Sequence, residues 1–538
     1  IPITGSSTVD TASGLYWYMK YTANLQVSWG ANNVALPGKV PAQAEAVTKK
    51  APVKYRYYQN VCTVSYSMAF WDWGRWQVEL DWMALQGINL PLAFTGQEYV
   101  WAQVYGSLGV TDEELEAHFG GAAFLAWARM GNIKGWGGPL DTTWRAAQFA
   151  LQKQILQRML ELDMTPVLPA FAGHVPKAFT ALFPNASITR SAAWGNFDSQ
   201  YTEDYLLAPS DPLFARVGSL FLQAQANLYG NVTNIYNGDT FNEMDPASND
   251  PTYLKASSQA VYDALVAGNP DAVWLMQGWL FHSGFWKDAE IAAYLSGVPD
   301  DRMMILDLNS EESPLWEKFA ANNKSFIWCM LHNYGGARSL YGDVDLIASA
   351  PLAANAASNG TMIGTGITME AIEQNPVMYE LMNEMGIRSQ PFDTAKWLND
   401  YTTRRYGGES PAAQATWATM HDGLYNAGFS WDGNSVIVKK PSLSVTTNTN
   451  PNTTALVAAW RTMVKSANDF PTPTAGWHYD LVDITRQSLS NTFYDLFLSL
   501  KTAFTTCQGP YTDEYQVFNS TDNPGDDLGQ VGNCGLTH

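Results

Sequence analysis

Between about residues 60 and 370 the chain repeats one pattern: a short run of β-branched and aromatic residues, a polar loop, then a segment of helical period. The runs are VSYSMAF (64–70), INLPLAF (88–94), TPVLPAF (165–171), NIYNGDTF (234–241), AVWLMQGW (272–279), RMMILDL (302–308), SFIWCML (325–331) and TMIGTGIT (361–368), eight in all. Nearly continuous apolarity suits strands covered on both faces of a parallel sheet. Eight strand-and-helix units in one stretch predict a (β/α)₈ TIM barrel rather than a doubly wound sheet.

Two of the intervening helices are clear. WDWGRWQVELDWMALQG sets Trp76, Leu80 and Met83 or Ala84 on one face and stops at Gly87, a residue suited to a left-handed C-terminal turn. AAQFALQKQILQRMLELDM aligns Leu151, Ile155, Met159 and Leu162. Beyond about residue 390 strand patterning fades, and four segments beginning at DTAKWLNDYTTRRYG keep a helical period, with Asp, Pro or Thr near their starts. Before residue 50, GLYWYMKYTANLQVSWG predicts one helix and one strand, too little to close a core. The expected organisation is therefore a partial N-terminal α/β domain (1–50), the barrel (51–390), and an α-helical C-terminal domain that looks incomplete and ends in a turn-rich tail (391–538).

Composition narrows the function. A formal charge of −20, from 51 acidic and 31 basic residues, argues against a nucleic-acid partner, because phosphate binding needs clustered Lys and Arg. No apolar stretch approaches the roughly 18 residues that span a bilayer. Cys62, Cys329, Cys507 and Cys534 lack CxxC spacing and no HExxH occurs, so neither metal nor cofactor is expected. Cys62 and Cys329 lie in apolar runs and read as buried thiols or pocket lining, whereas Cys507 and Cys534 in the tail are candidates for a disulfide. Six sequons, at Asn185, Asn231, Asn323, Asn359, Asn452 and Asn519, suggest an exported, secreted or lysosomal or vacuolar glycoprotein modified at some of them.

In such a barrel the site is built at the C-terminal ends of the strands. Those ends supply Gln97 and Glu98, His174, Glu243, Trp279, Asp307, His332 and Asn333, and Glu370. Carboxylates, indoles and amides are the inventory of glycoside hydrolysis, which needs one protonated and one ionised carboxyl flanking the scissile bond and apolar faces for the sugar ring. Glu243 and Glu370 form the preferred pair, and Asn242 offers an amide to the substituent at sugar C2. The stretch YNGDTFNEMDP gathers Asp239, Asn242, Glu243 and Asp245 without a Lys or Arg. That suits a proton donor, since a nearby cation would lower its pKa. Against this stand plainer roles: strand-end acids often cap or pair, tryptophans are more often core than platform, and His174, His332 and Asn333 are equally suited to buried polar contacts.

Longer motifs sharpen the picture. RYYQNVCTVSYSMAFWDWGRWQVELDWMALQGINLPLAFTGQE (56–98), ARMGNIKGWGGPL (128–140), TPVLPAFAGHVP (165–176), GDTFNEM (238–244), LMQGWLF (275–281), FIWCMLHNYGG (326–336) and IGTGITMEAIEQN (363–375) closely resemble the α-N-acetylglucosaminidases of glycoside hydrolase family 89, over about residues 3–505. The resemblance implies a small N-terminal domain, a (β/α)₈ barrel, a helical C-terminal domain and retaining hydrolysis of terminal α-linked N-acetylglucosamine. It assigns Glu243 as general acid/base and Glu370 as nucleophile, and places Asn60, Cys62, Trp136 and Trp279 in the pocket; His332 joins them as a strand-end candidate. Stereochemistry agrees. In an α-linked N-acetylglucosaminide the C2 acetamide is cis to the leaving group and cannot attack from behind, so an enzymic carboxylate must, at about 5–5.5 Å from its partner.

Family members also carry sequence before the segment matching residue 3 and a helical extension after that matching residue 505, with aromatics that close the pocket. A second polypeptide supplying that extension is therefore expected. The alternative reading is a catalytically silent sugar-binding protein on the same barrel.

Overall fold

A computed structural model describes residues 1–36, 38–426, 435–447 and 452–507. Eight parallel strands form the sheet: β1 (Tyr55–Tyr58), β2 (Leu90–Pro91), β3 (Leu168–Pro169), β4 (Ile235–Asn237), β5 (Val273–Gln277), β6 (Met303–Asp307), β7 (Ser325–Met330) and β8 (Met362–Ile367). Their spatial order is β2-β1-β8-β7-β6-β5-β4-β3, and a parallel bridge between Leu92 and Val167 joins the two ends. The sheet is therefore a closed barrel. Tyr57, Leu90, Val167, Ile235, Leu275 and Cys329 fill its interior, while a larger cluster packs its outer face against the helices.

Seven of the eight apolar runs are strands. The exception is VSYSMAF, where Val64–Met68 is a π-helical turn, and the first strand is instead YRYY at 55–58. Alternation of Val64, Tyr66 and Met68 with two serines imitates a half-buried strand, but the serines face other loops. Ser65 Oγ accepts from the Ala126 N–H at 3.0 Å and Ser67 Oγ from that of Ile372 at 3.2 Å. Arg56 hid the true strand, because a charged residue is unexpected there. Its guanidinium leaves the sheet for Asp10 at 3.1 Å and the Gly87 carbonyl at 2.7 Å.

The two clear helices form as Trp73–Leu85 and Thr142–Glu161, each N-capped by an aspartate, Asp72 and Asp141. Leu80 and Met159 are fully buried, and truncating such a residue to alanine costs about 2–5 kcal/mol.

The N-terminal helix Thr8–Tyr21 docks on the barrel's own helices. Its Lys20 ammonium is buried against Glu380 at 2.9 Å and Glu384 at 2.7 Å, both on the helix Pro376–Met385. The strand expected after it does not form; Gln26 and Asn33 make only an isolated bridge. Helices Thr394–Tyr406, Pro411–Gly423, Thr453–Ser466 and Ala475–Cys507 make the C-terminal layer. Buried Arg405 ties the first of these to the last through Asp480, at 2.6 and 2.8 Å. No described helix is long and apolar enough to cross a membrane.

Candidate active site

The barrel order places β4 and β8 diametrically opposite, four strands apart in either direction. Glu243 follows β4 and Glu370 follows β8, so the two carboxyl groups enter the mouth from opposite walls. Their fields meet at Cys62, at the end of β1. Burial, then Glu370, then Glu243 push its thiol well above the ordinary range. Burial also raises Glu370, the Gly335 N–H works against that, and the neighbouring Glu243 carboxylate adds to it.

Each carboxylate is held by donors from several loops. Glu370 Oε2 accepts from the Gly335 N–H at 2.5 Å, and its own N–H donates to the Asn333 carbonyl at 3.0 Å. Three non-glycine residues around it, His332, Glu373 and Asn375, are left-handed, a conformation that persists only where surroundings impose it. One such constraint comes from the long C-terminal helix, where Tyr479 O–H donates to the Glu373 carbonyl at 2.9 Å. Glu243 Oε2 accepts from Asn132 Nδ2 at 3.0 Å and Trp194 Nε1 at 2.5 Å, and Oε1 from Trp279 Nε1 at 3.3 Å. All three donors are neutral, in keeping with the missing Lys and Arg in its loop.

The other expected residues divide. Trp279 joins Glu243 directly, and Cys62 feels the charge of both carboxylates. Asn242, just before Glu243, points its amide at the Met130 sulfur, 3.0 Å away. Asn60 is buried and committed: Oδ1 accepts from the Cys62 N–H at 2.9 Å and Nδ2 donates to the Thr368 carbonyl at 2.9 Å, so it ties β1 to β8. Trp136 is not brought to Glu243 but packs on Phe124, Phe197 and Tyr201. It is linked to the site through Phe197, on which Trp194 stacks. His332 is 1% exposed, its ring stacked on Tyr341 at 4.5 Å, and burial lowers its pKa to about 3. In this structure it supports the β7 loop instead of lining the mouth.

The remaining strand-end acids are structural. Asp239 is raised to about 6 by burial and accepts from Gln277 N and Nε2, each at 2.9 Å, linking β4 to β5. Asp245 accepts from Ser283 Oγ at 2.8 Å. Asp307, also about 6 through burial, caps the turn at Leu315 and Trp316. Glu98 pairs with Arg129.

Four neighbours of the pair were not singled out from sequence: Tyr66, Trp127, Asn132 and Trp194. Tyr66 leaves the π-helical turn beside Glu370, its hydroxyl pushed to about 12 by burial, Glu370 and Cys62, and Trp127 meets its ring edge-on at 5.3 Å. A π-turn often marks a functional position, but this one carries strand-like alternation. Asn132 lay within the same GNIKGW motif as Trp136, and only tertiary structure shows that the asparagine is the residue reaching Glu243.

A closed barrel with two glutamates entering its mouth among indole donors is the arrangement that glycoside hydrolysis calls for. Comparison with known proteins places it further. The profile of the α-N-acetylglucosaminidase TIM-barrel domain matches residues 56–389, and those of the N-terminal and C-terminal domains match 1–42 and 397–518. Human α-N-acetylglucosaminidase is 45% identical over 496 residues, covering 91% of this chain and 66% of that protein. A family 89 glycoside hydrolase from Clostridium perfringens, solved with 2-acetamido-1,2-dideoxynojirmycin, superimposes with a TM-score of 0.87 at 29% identity. It covers 94% of this chain and 57% of that one. A form of that enzyme with two glutamate-to-glutamine substitutions, bound to its substrate GlcNAc-α-1,4-galactose, gives 0.86 at 28% identity, with 93% and 57% covered. The chain belongs to the α-N-acetylglucosaminidase family, and it spans about two thirds of the length of the human relative.

Proposed function

We propose that the protein is an exo-acting, retaining glycosidase that releases terminal α-linked N-acetylglucosamine from glycans or glycoproteins. Glu370 attacks the anomeric carbon and Glu243 protonates the leaving oxygen, then deprotonates the water that hydrolyses the glycosyl-enzyme intermediate. The observation that carries this reading is the pair of carboxylates entering from β4 and β8 with both fields on Cys62. The cis relation of acetamide and leaving group requires such an enzymic nucleophile. The Gly335 N–H steadies Glu370 for in-line attack, while Asn132 and Trp194 orient the Glu243 carboxyl. Trp279, Trp127 and Tyr66 offer ring faces and edges for the sugar.

Two partner readings accompany it. Asn185, Asn231, Asn323, Asn359 and Asn452 are all exposed, which supports N-glycosylation of some of them in an exported or lysosomal or vacuolar setting; Asn519 lies outside the described residues, as does the Cys507–Cys534 pairing. A second polypeptide completing the pocket is supported by the helix Ala475–Cys507, which turns Val482, Leu489, Phe493, Leu496, Leu500 and Phe504 to solvent along one face. Intact mass and a denaturing gel of the active preparation test that partner, and one fully active species at 59.4 kDa rejects it.

The decisive experiment for the reaction is turnover of an aryl α-N-acetylglucosaminide by Glu243→Gln and Glu370→Gln, with product anomers followed by NMR. Both variants should lose kcat by several orders of magnitude and the wild type should release the α-anomer first. Undiminished turnover in either variant removes that residue from the mechanism, and a β-anomer overturns retention. Sugar binding without turnover by the wild type would favour the silent-lectin reading.

A further inference from the structure

A cavity of about 60 Å³ lies among the segments that follow β2 and β3 and the helix Leu125–Arg129. Gln97, Glu98, His118, Arg129 and His174 supply its polar wall. Arg129 gives Nε and Nη2 to the two oxygens of Glu98, at 2.7 and 2.9 Å, which leaves Nη1 buried without a partner. Gln97 Nε2, His118 Nδ1 and His174 Nε2 are likewise buried without a hydrogen-bond partner, while His174 Nδ1 stands 3.9 Å from the buried Asp204 carboxylate. Gln97 and His174 are only 6% and 7% exposed. Buried donors left without acceptors are costly, so this cavity is built to be occupied. Nη1 and Nε2 can only donate. The imidazoles, kept neutral by burial at about 3 for His118 and about 4 for His174, can each turn an N–H inward. Both oxygens of the one lining carboxylate are already taken up by Arg129.

We propose that this cavity binds a small monovalent anion of chloride size, held by Arg129 Nη1 and Gln97 Nε2, and that the anion braces the turn 129–132. The volume accommodates such an ion with water beside it, since one water takes about 30 Å³. The turn is where the consequence falls. Arg129 ends the helix Leu125–Arg129, Met130 meets the Asn242 amide, and Asn132 donates to Glu243. Gly131 between them, at φ 73°, lies so close on the His174 ring that a Cβ there would fall 2.0 Å from it. An ion fixing Arg129 therefore fixes the residues that aim Glu243.

Crystals of the full chain soaked in sodium bromide test this independently of any glycosidase activity. One anomalous peak is expected within hydrogen-bond range of Arg129 Nη1 and Gln97 Nε2. The unfolding midpoint should be higher in chloride than in gluconate at equal ionic strength. Gln97→Met should weaken halide affinity about tenfold, as loss of one bond to a charged group implies, and Gln97→Glu should do the same by placing its own acceptor in the cavity. Water alone in the cavity overturns the proposal, as does a chloride effect that survives unchanged in either variant.

Discussion

Asn132→Leu, alone and with Trp194→Phe, isolates the positioning of Glu243. Asn132 Nδ2 and Trp194 Nε1 share one acceptor, Oε2, at 3.0 and 2.5 Å. A hydrogen bond to a charged acceptor contributes about 1.5–3 kcal/mol. Glu243 is exposed, so solvent screening takes the figure to the low end, about 1.5 kcal/mol, or roughly tenfold in rate. Leucine keeps asparagine's branched outline, and Asn132 Oδ1 is buried with no hydrogen-bond partner, so the substitution also removes an unsatisfied carbonyl. Stability should hold while catalysis falls. The assay is kcat and kcat/KM on an aryl α-N-acetylglucosaminide beside a thermal melt. Asn132→Leu is expected to lower kcat about tenfold with the midpoint little changed, and the double variant to lose more than either single without simple additivity, because both donors serve one oxygen. A double variant within twofold of wild type would refute the assignment; so would a rate loss fully matched by unfolding at the assay temperature.

Further expectations concern stability and pH. Lys20→Met leaves Glu380 and Glu384 buried against one another with a cation removed and should destabilise the fold by about 3–5 kcal/mol in a denaturant melt; a loss below about 1 kcal/mol would show the network to be dispensable. Burial raises Glu311 to about 8 and Asp204 to about 7, so the folded state holds these protons more tightly than the unfolded chain. Stability therefore falls as pH rises through the window between each group's ordinary and folded values. His118, His174 and His332, lowered to about 3, 4 and 3, act oppositely and lose stability below their ordinary value of about 6.5, tempered by Asp239 and Asp307 at about 6. By this linkage the unfolding midpoint should decline from pH 6 to pH 8, with Glu311→Gln flattening the decline. A midpoint still rising between those values contradicts the assignment.

Legibility in the sequence followed burial. Strands covered on both faces by helices leave near-continuous apolar runs, and seven of them could be read directly. The two strand-end glutamates were legible because barrel geometry gives a polar residue at those positions unusual weight. Tyr55–Tyr58 was hidden by Arg56, whose charge is satisfied by Asp10 from a distant helix, and Val64–Met68 was misread because its half-buried serines accept from the Ala126 and Ile372 N–H groups far along the chain. His332 was a pocket candidate by position and Asn60 by family resemblance; tertiary packing sets the first against Tyr341 and Tyr379 and has the second tie backbone segments together.

The sequence by itself determined the barrel, the helical C-terminal layer and the placing of Glu243 and Glu370 at strand ends, because hydrophobic period and strand-end position are local properties of the chain. Tertiary structure alone decided which neutral groups hold those carboxylates. Asn132, Trp194 and Trp279 reach Glu243 from 111, 49 and 36 residues away, and Gly335 reaches Glu370 from 35. Such donors have no signature of their own: an asparagine or tryptophan in a loop becomes a positioning group only when chain closure brings it within about 3 Å of a charge.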